Sequence, residues 1–212
     1  MSDDLIEEAI VLPALPGREL LLRRPRDAEA HLDLEAFARV EYMPYWAELW
    51  PSAHALADAV AGRALHGARV VELGCGLGLP AIAAALAGGR VLATDWAGEA
   101  LEVAAENAAL NDVRVDTLVS DWTAPDELVA RGPFDLVIGS DLLYETRNVE
   151  PLLALLPRLL SDRGEAWIAD PGRGPLEAFL AGAAEAGMTV RSIPAPTAGE
   201  RAHVHRLRRA AG

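Results

Sequence analysis

The chain has 212 residues, enough for one domain with a large core and too few for two full domains. Hydrophobic residues make up 51% and charged residues 24%, a globular composition that excludes a disordered chain. A formal charge of −13 argues against nucleic acid, because a phosphate backbone meets repulsion instead of releasing counterions; a cationic partner suits it better.

The chain opens Met1-Ser2-Asp3-Asp4, with acids where a signal peptide carries positive charge. Glu7–Leu12 and Arg18–Arg23 read as two strands around Pro13–Gly17, and Ala53–Gly62 as a helix. Residues 1–65 are expected to form an N-terminal extension packed over a cofactor pocket, with 66–212 as the catalytic domain. From Arg69 onward strands and helices alternate. Arg69–Leu73 is a strand, Leu79–Ala87 a helix, Arg90–Thr94 a strand, and Gly98–Asn111 a helix closed by Asn111-Asp112. Val113–Val119 and Phe134–Gly139 are strands, Val149–Leu160 is a helix, and Glu165–Ala169 is the next strand. The helix Pro175–Ala186 leads to a last pair of strands, Met188–Ile193 and His203–Arg208.

Such alternation implies an α/β fold with helices on both faces of a mostly parallel, seven-stranded, doubly wound Rossmann-like sheet. Runs such as Leu136-Val137-Ile138 fit strands buried on both sides. The short connection Pro194–Gly199 leaves no room for a helical crossover, so the final strands pair as an antiparallel hairpin. Such an ending resembles the methyltransferase variant of the fold more than the dehydrogenase one.

The strongest motif is Glu72-Leu73-Gly74-Cys75-Gly76-Leu77-Gly78, after an apolar strand and before a helix. Gly74, Gly76 and Gly78 let the backbone turn and approach a ligand. A dinucleotide loop needs a glycine where Leu79 stands, to pack the helix beneath a pyrophosphate. Glu72 beside phosphates is also badly placed, but it suits a cofactor bearing an ammonium and a sulfonium. The loop therefore points to S-adenosylmethionine over a nicotinamide cofactor.

Asp95 closes the second strand, where an acid accepts ribose hydroxyls, and Trp96 follows to cover an adenine face. Asp121-Trp122 repeats the pattern after the third strand, with Asp121 placed for the adenine amino group and Trp122 for the ring edge. Either tryptophan is equally readable as a packing residue. Asp141-Leu142-Leu143-Tyr144 lies past the fourth strand, where ligands of open α/β sheets react.

The loop, the Asp-Trp pair and Asp-Leu-Leu-Tyr together resemble the seven-strand family 16 methyltransferases, many of which modify lysine or histidine of proteins. Pro44-Tyr45-Trp46-Ala47-Glu48-Leu49-Trp50-Pro51 and Asp170-Pro171-Gly172-Arg173 are similar to its electron transfer flavoprotein β-subunit lysine methyltransferase branch. The resemblance runs from Tyr42 to Gly187. It implies that Trp50, Glu72, Gly74, Asp95 and Trp122 contact the cofactor, and that Asp141 and Tyr144 face the acceptor nitrogen. Tyr144 also reads as a helix-start packing residue, and Trp46 and Trp50 as packing between the extension and the core.

The expected activity is methylation of a protein side chain, lysine favoured, by a cytoplasmic monomer without metal, nucleic-acid or membrane partners. Alternatives are a small-molecule N- or O-methyltransferase, a non-catalytic cofactor-binding module, and an NAD-dependent oxidoreductase. His203 and His205 lack a third ligand for a metal and read as solvated strand histidines. Cys75, the single cysteine, can form no intramolecular disulfide and reads as a small buried filler in a reducing compartment.

Overall fold

The computed structural model describes residues 5–26 and 45–210. Its first elements are β1 (Leu5–Val11) and β2 (Glu19–Pro25), an antiparallel hairpin with Leu5 opposite Pro25. Tyr42, Pro44 and the acidic start at Met1–Asp4 lie outside the described residues.

Pro51 opens α1 (Pro51–Ala61), where its missing N–H costs nothing. Then follow β3 (Arg69–Leu73), α2 (Leu79–Leu86), β4 (Arg90–Asp95), α3 (Gly98–Leu110) and β5 (Asp116–Val119). The second half holds α4 (Asp126–Arg131), β6 (Phe134–Ser140), α5 (Val149–Leu159), β7 (Leu160–Asp170), α6 (Leu176–Glu185), β8 (Met188–Pro194) and β9 (His203–Arg209). The short α4, which begins after Pro125, is not among the expected elements; β5 is shorter than expected and β7 longer.

The seven-stranded sheet has the order β5-β4-β3-β6-β7-β9-β8. Pairings from β5 to β7 are parallel, while β9 runs antiparallel to both of its neighbours. The final strand therefore inserts inside the sheet and leaves β8 at the edge.

Strand alternation builds a core on each face. Val70 packs with Leu56 and Val60 of α1 and Ala84 of α2, whereas the next residue, Val71, joins the leucines of α5 and Phe179 of α6. Along α5, Leu152, Leu155, Leu156 and Leu159 recur at helical spacing and are all buried. Among the described residues no helix is long and apolar enough to cross a membrane.

The hairpin packs through Leu12, Leu20 and Leu22 onto α2 and α3, beside Leu79 and Ile82. Asn107 on α3 and Asn111, which caps its C-terminus one turn later, act as surrogate strand partners for β2. Asn107 Oδ1 accepts the Arg23 N–H at 2.7 Å, and its amide donates to the carbonyls of Arg23 and Leu77, each at 3.0 Å. Asn111 accepts from Leu21 N–H at 3.0 Å and donates to the Leu21 carbonyl at 2.7 Å. Among the described residues of the extension, the strands thus sit against the helices, and the later segment Tyr45–Ala53 lines the cavity described below.

Candidate active site

After β3 the chain turns through Gly74–Gly78 before α2 begins. Gly74 and Gly78 stand at φ +59° and +80°, where a side chain is strained. A Cβ on Gly78 would lie 2.9 Å from Cβ of Ala104 on α3, and one on Gly74 would lie 2.9 Å from Leu142 Cδ2. Only glycine lets the loop seat this closely between α3 and the segment following β6.

Asp95, at the end of β4, braces the loop. Its Oδ2 accepts the Gly76 N–H and its Oδ1 the Ala97 N–H, both at 3.0 Å. Burial raises its pKa, opposed by backbone N–H groups of Ala97, Gly76 and Trp96. A carboxylate has about four lone-pair sites, so beside these three N–H groups one remains for a ligand.

A cavity of about 590 Å³ opens at the carboxyl ends of the central strands, within the roughly 300–1,000 Å³ typical of small-molecule sites. Gly74, Gly76, Gly78, Asp95, Trp96, Asp121 and Trp122 line it from one set of strand ends; Trp50, Asp141 and Tyr144 line it as well. Trp96 leaves 46% of its surface exposed there. Asp121 uses Oδ1 to accept the N–H and hydroxyl of Thr123, at 2.7 and 2.8 Å. Trp122 packs against the core beneath β3 and β6. Trp46 combines both of its readings, being buried in the hairpin core and lining the cavity.

Glu72 is the expected site residue that does not reach the cavity. It shares its strand face with Val70, is 0% exposed, and meets the first turn of α2. Oε2 accepts the Ala81 N–H at 2.8 Å, one of the donors a helix leaves unsatisfied at its start. Burial pushes its carboxyl well above the usual range; the Ala81 bond opposes this and the charge of Asp95 adds to it. The acid supports the loop from below, with no surface open to a cofactor's ammonium.

At the other end of the cavity, Asp141 stands at φ +56°, a conformation costly for a residue with a side chain and typical of functional positions. Its Oδ1 accepts from Arg173 Nε at 3.1 Å and Nη2 at 2.7 Å. Burial raises its pKa, and the hydrogen bonds and charge of Arg173 oppose that rise. The Ser52 hydroxyl adjoins the carboxylate without closing a well-formed hydrogen bond, and Oδ2 is buried without a partner. Asp170, at the end of β7, accepts the backbone N–H groups of Gly172 and Arg173, both at 2.7 Å, and so sets the turn that aims Arg173. The guanidinium carbon lies 5.5 Å from the Trp50 ring centroid. Tyr45 lies 6.2 Å from Trp50 and 5.3 Å from Tyr144, centroid to centroid, which lines this end with three aromatic rings.

Residues 45–173 match the model of a family described as lysine methyltransferase. The chain belongs to the lysine methyltransferase family. It is 36% identical over 139 residues to an electron transfer flavoprotein beta subunit lysine methyltransferase of Xenopus laevis, covering 61% of this chain and 53% of that protein. It is 32% identical over 109 residues to a histidine protein methyltransferase 1 homolog of Dictyostelium discoideum, covering 50% of this chain and 35% of the relative. Among solved structures, a ribosomal protein L11 methylase of Lactobacillus delbrueckii subsp. bulgaricus superposes with a TM-score of 0.62 at 25% identity, over 74% of this chain and 77% of that one. The chain spans at most about half the length of the two curated relatives.

The cofactor of this lysine methyltransferase family's fold is S-adenosylmethionine, and the residues present fit it. A buried carboxylate with acceptor capacity left over, a tightly seated glycine loop, an exposed indole and a cavity of suitable size meet at one place. Arg173 and Ser52 are site residues that the motif reading left without a role. The signal for Arg173 is the Asp170-Pro171-Gly172-Arg173 run; Ser52 lacks the G-x-S-x-G elbow of a hydrolase nucleophile, and no other motif marks it. His205 also departs from expectation. With β9 inside the sheet it is 3% exposed, and it shares a 2.8 Å hydrogen bond with Ser192 Oγ. Its ring stacks 5.7 Å from that of His203, as their alternation on the strand implies.

Proposed function

We propose that this chain transfers a methyl group from S-adenosylmethionine to a side-chain nitrogen of a protein, lysine in first place. The observation that supports it most is the meeting, in one cavity, of the Asp95-braced loop with Asp141, Arg173 and the rings of Tyr45, Trp50 and Tyr144. The relatives' names, which include lysine and histidine methyltransferases of proteins, point the same way.

In this reading Asp95 accepts the ribose hydroxyls, Trp96 covers the adenine and Asp121 receives its amino group through the oxygen not used by Thr123. Gly74, Gly76 and Gly78 shape the loop around the amino-acid end, Trp122 closes the ring edge, and Trp50 lies between cofactor and acceptor. When bound, S-adenosylmethionine supplies a methyl group on an already cationic sulfur, so no general acid is required of the protein. Holding the acceptor in line is the main task, worth up to roughly 7–11 kcal/mol when alignment is ideal. Tyr144, Trp50 and the Asp141–Arg173 pair form the acceptor end and exclude water. Cys75 is buried and free, in keeping with a reducing, cytoplasmic setting, and we take the working unit to be a monomer.

The lining contributed by Tyr45–Trp50 favours a second reading, a small-molecule N- or O-acceptor enclosed by that segment. Incubation with methyl-labelled S-adenosylmethionine and a lysate, followed by mapping of the label, separates the two. Label on protein lysine is the expected result. Label confined to small metabolites would transfer the acceptor half to the second reading, and absence of both binding and transfer would remove the enzyme reading altogether.

A further inference from the structure

The acceptor end of the cavity has an unusual charge arrangement. A methyl acceptor that is an amine must be unprotonated when it attacks. A bare carboxylate nearby works against this, since it stabilises the ammonium form. Asp141 is not bare. Arg173 turns two of its nitrogens onto Oδ1, while Oδ2 is buried, so the cavity meets the carboxylate only together with the guanidinium. Trp50 stacks near the same guanidinium, and Asp170 holds the backbone of the turn that carries it.

We propose that Arg173 is a positioning residue that masks the charge of Asp141, so that the acceptor amine enters the aromatic end of the cavity as its free base. This rests on the methyltransferase reading above. Arg173 supplies permanently the positive charge that an incoming ammonium would otherwise provide, and the amine gives up its proton to solvent on entry. Asp170 and Ser52 are the other polar groups adjoining Asp141. Asp95, Asp121, Glu48, Tyr45, Tyr144 and Arg147 line the same cavity, and among these six the acids outnumber the cation. Asp141 adds to that acidic excess, so cancelling its charge beside the acceptor changes the local balance.

The test compares full-length wild type with Arg173→Gln, Arg173→Met and Arg173→Lys. Turnover on the lysine acceptor found by labelling is followed from pH 6 to 10, and Asp141 is titrated by carboxyl carbon-13 NMR without acceptor. Loss of the charge should move the alkaline-rising midpoint of kcat upward by about one pH unit or more, with KM unchanged or lower near neutrality. The same two variants should raise the Asp141 titration midpoint, and Arg173→Lys should restore both. Thermal melts identify variants that fold, and Arg173→Met backs up Arg173→Gln. A uniform loss of turnover at every pH, a rise in KM alone, or an unmoved Asp141 titration would overturn the proposal. Should wild type methylate no protein, the function reading fails by itself, and the NMR titration still decides whether Arg173 masks Asp141.

Discussion

Glu72 accepts the Ala81 N–H at 2.8 Å through one carboxylate oxygen, while its other oxygen is buried with no hydrogen-bond partner. Burial in that setting favours the neutral acid over the carboxylate. Burial raises its folded pKa well above the usual range, so its stabilising contribution is complete below the unfolded value of about 4.3 and disappears as pH rises through the folded value. Glu72→Gln keeps a carbonyl oxygen for Ala81 and cannot ionise. Thermal melts should show the variant matching wild type near pH 4 and exceeding it at pH 8. Identical pH profiles would place the acid in a more polar setting than the structure shows.

His205 gives the opposite slope. Burial, followed by the charge of His203, lowers its pKa from 6.5 to about 4. Neutral imidazole is therefore favoured in the folded state, and its stabilising contribution, full above pH 6.5, is lost as pH falls toward 4. In a His205→Gln variant the loss of stability between these two pH values should be shallower than in wild type, as read by chemical denaturation.

Asn107 is buried and satisfies three backbone groups, two on Arg23 and one on Leu77 at the glycine loop. Asn107→Ala leaves those groups without their partner and should cost about 2–4 kcal/mol of stability by urea denaturation. The β1–β2 hairpin should become the first site of limited proteolysis. A loss well under 1 kcal/mol would mean that water replaces the side chain.

Asp95→Ala removes an acceptor from both the loop and the expected ribose position. Affinity for S-adenosylhomocysteine should fall about tenfold to a hundredfold by calorimetry. Retained affinity would move the ribose away from Asp95.

Asp141→Ala should leave that affinity nearly intact while turnover falls, because the residue stands at the acceptor end beside Arg173. Equal loss of binding and turnover would assign Asp141 to the cofactor end instead.

The central strands were readable because β-rich apolar runs alternate with helical ones, and because ligands of such sheets gather at strand carboxyl ends. That rule places Asp95, Asp121 and Asp141 together, and all three line the cavity. The helix α4 escaped because six residues carry too little periodicity to register. The burial of His205 escaped for another reason. Alternation on β9 shows that His203 and His205 share a face, but not that the last strand enters between β7 and β8.

Local pattern alone determined the fold class, the antiparallel end of the sheet and the glycine loop, since each depends on backbone geometry and near-neighbour spacing. Tertiary structure decided which acids face the cavity. It turned Glu72 inward to a helix start and brought Arg173, 32 residues further along the chain, onto Asp141. Charge pairing acts through space, and residues 141 and 173 become neighbours only once the strands that carry them lie side by side.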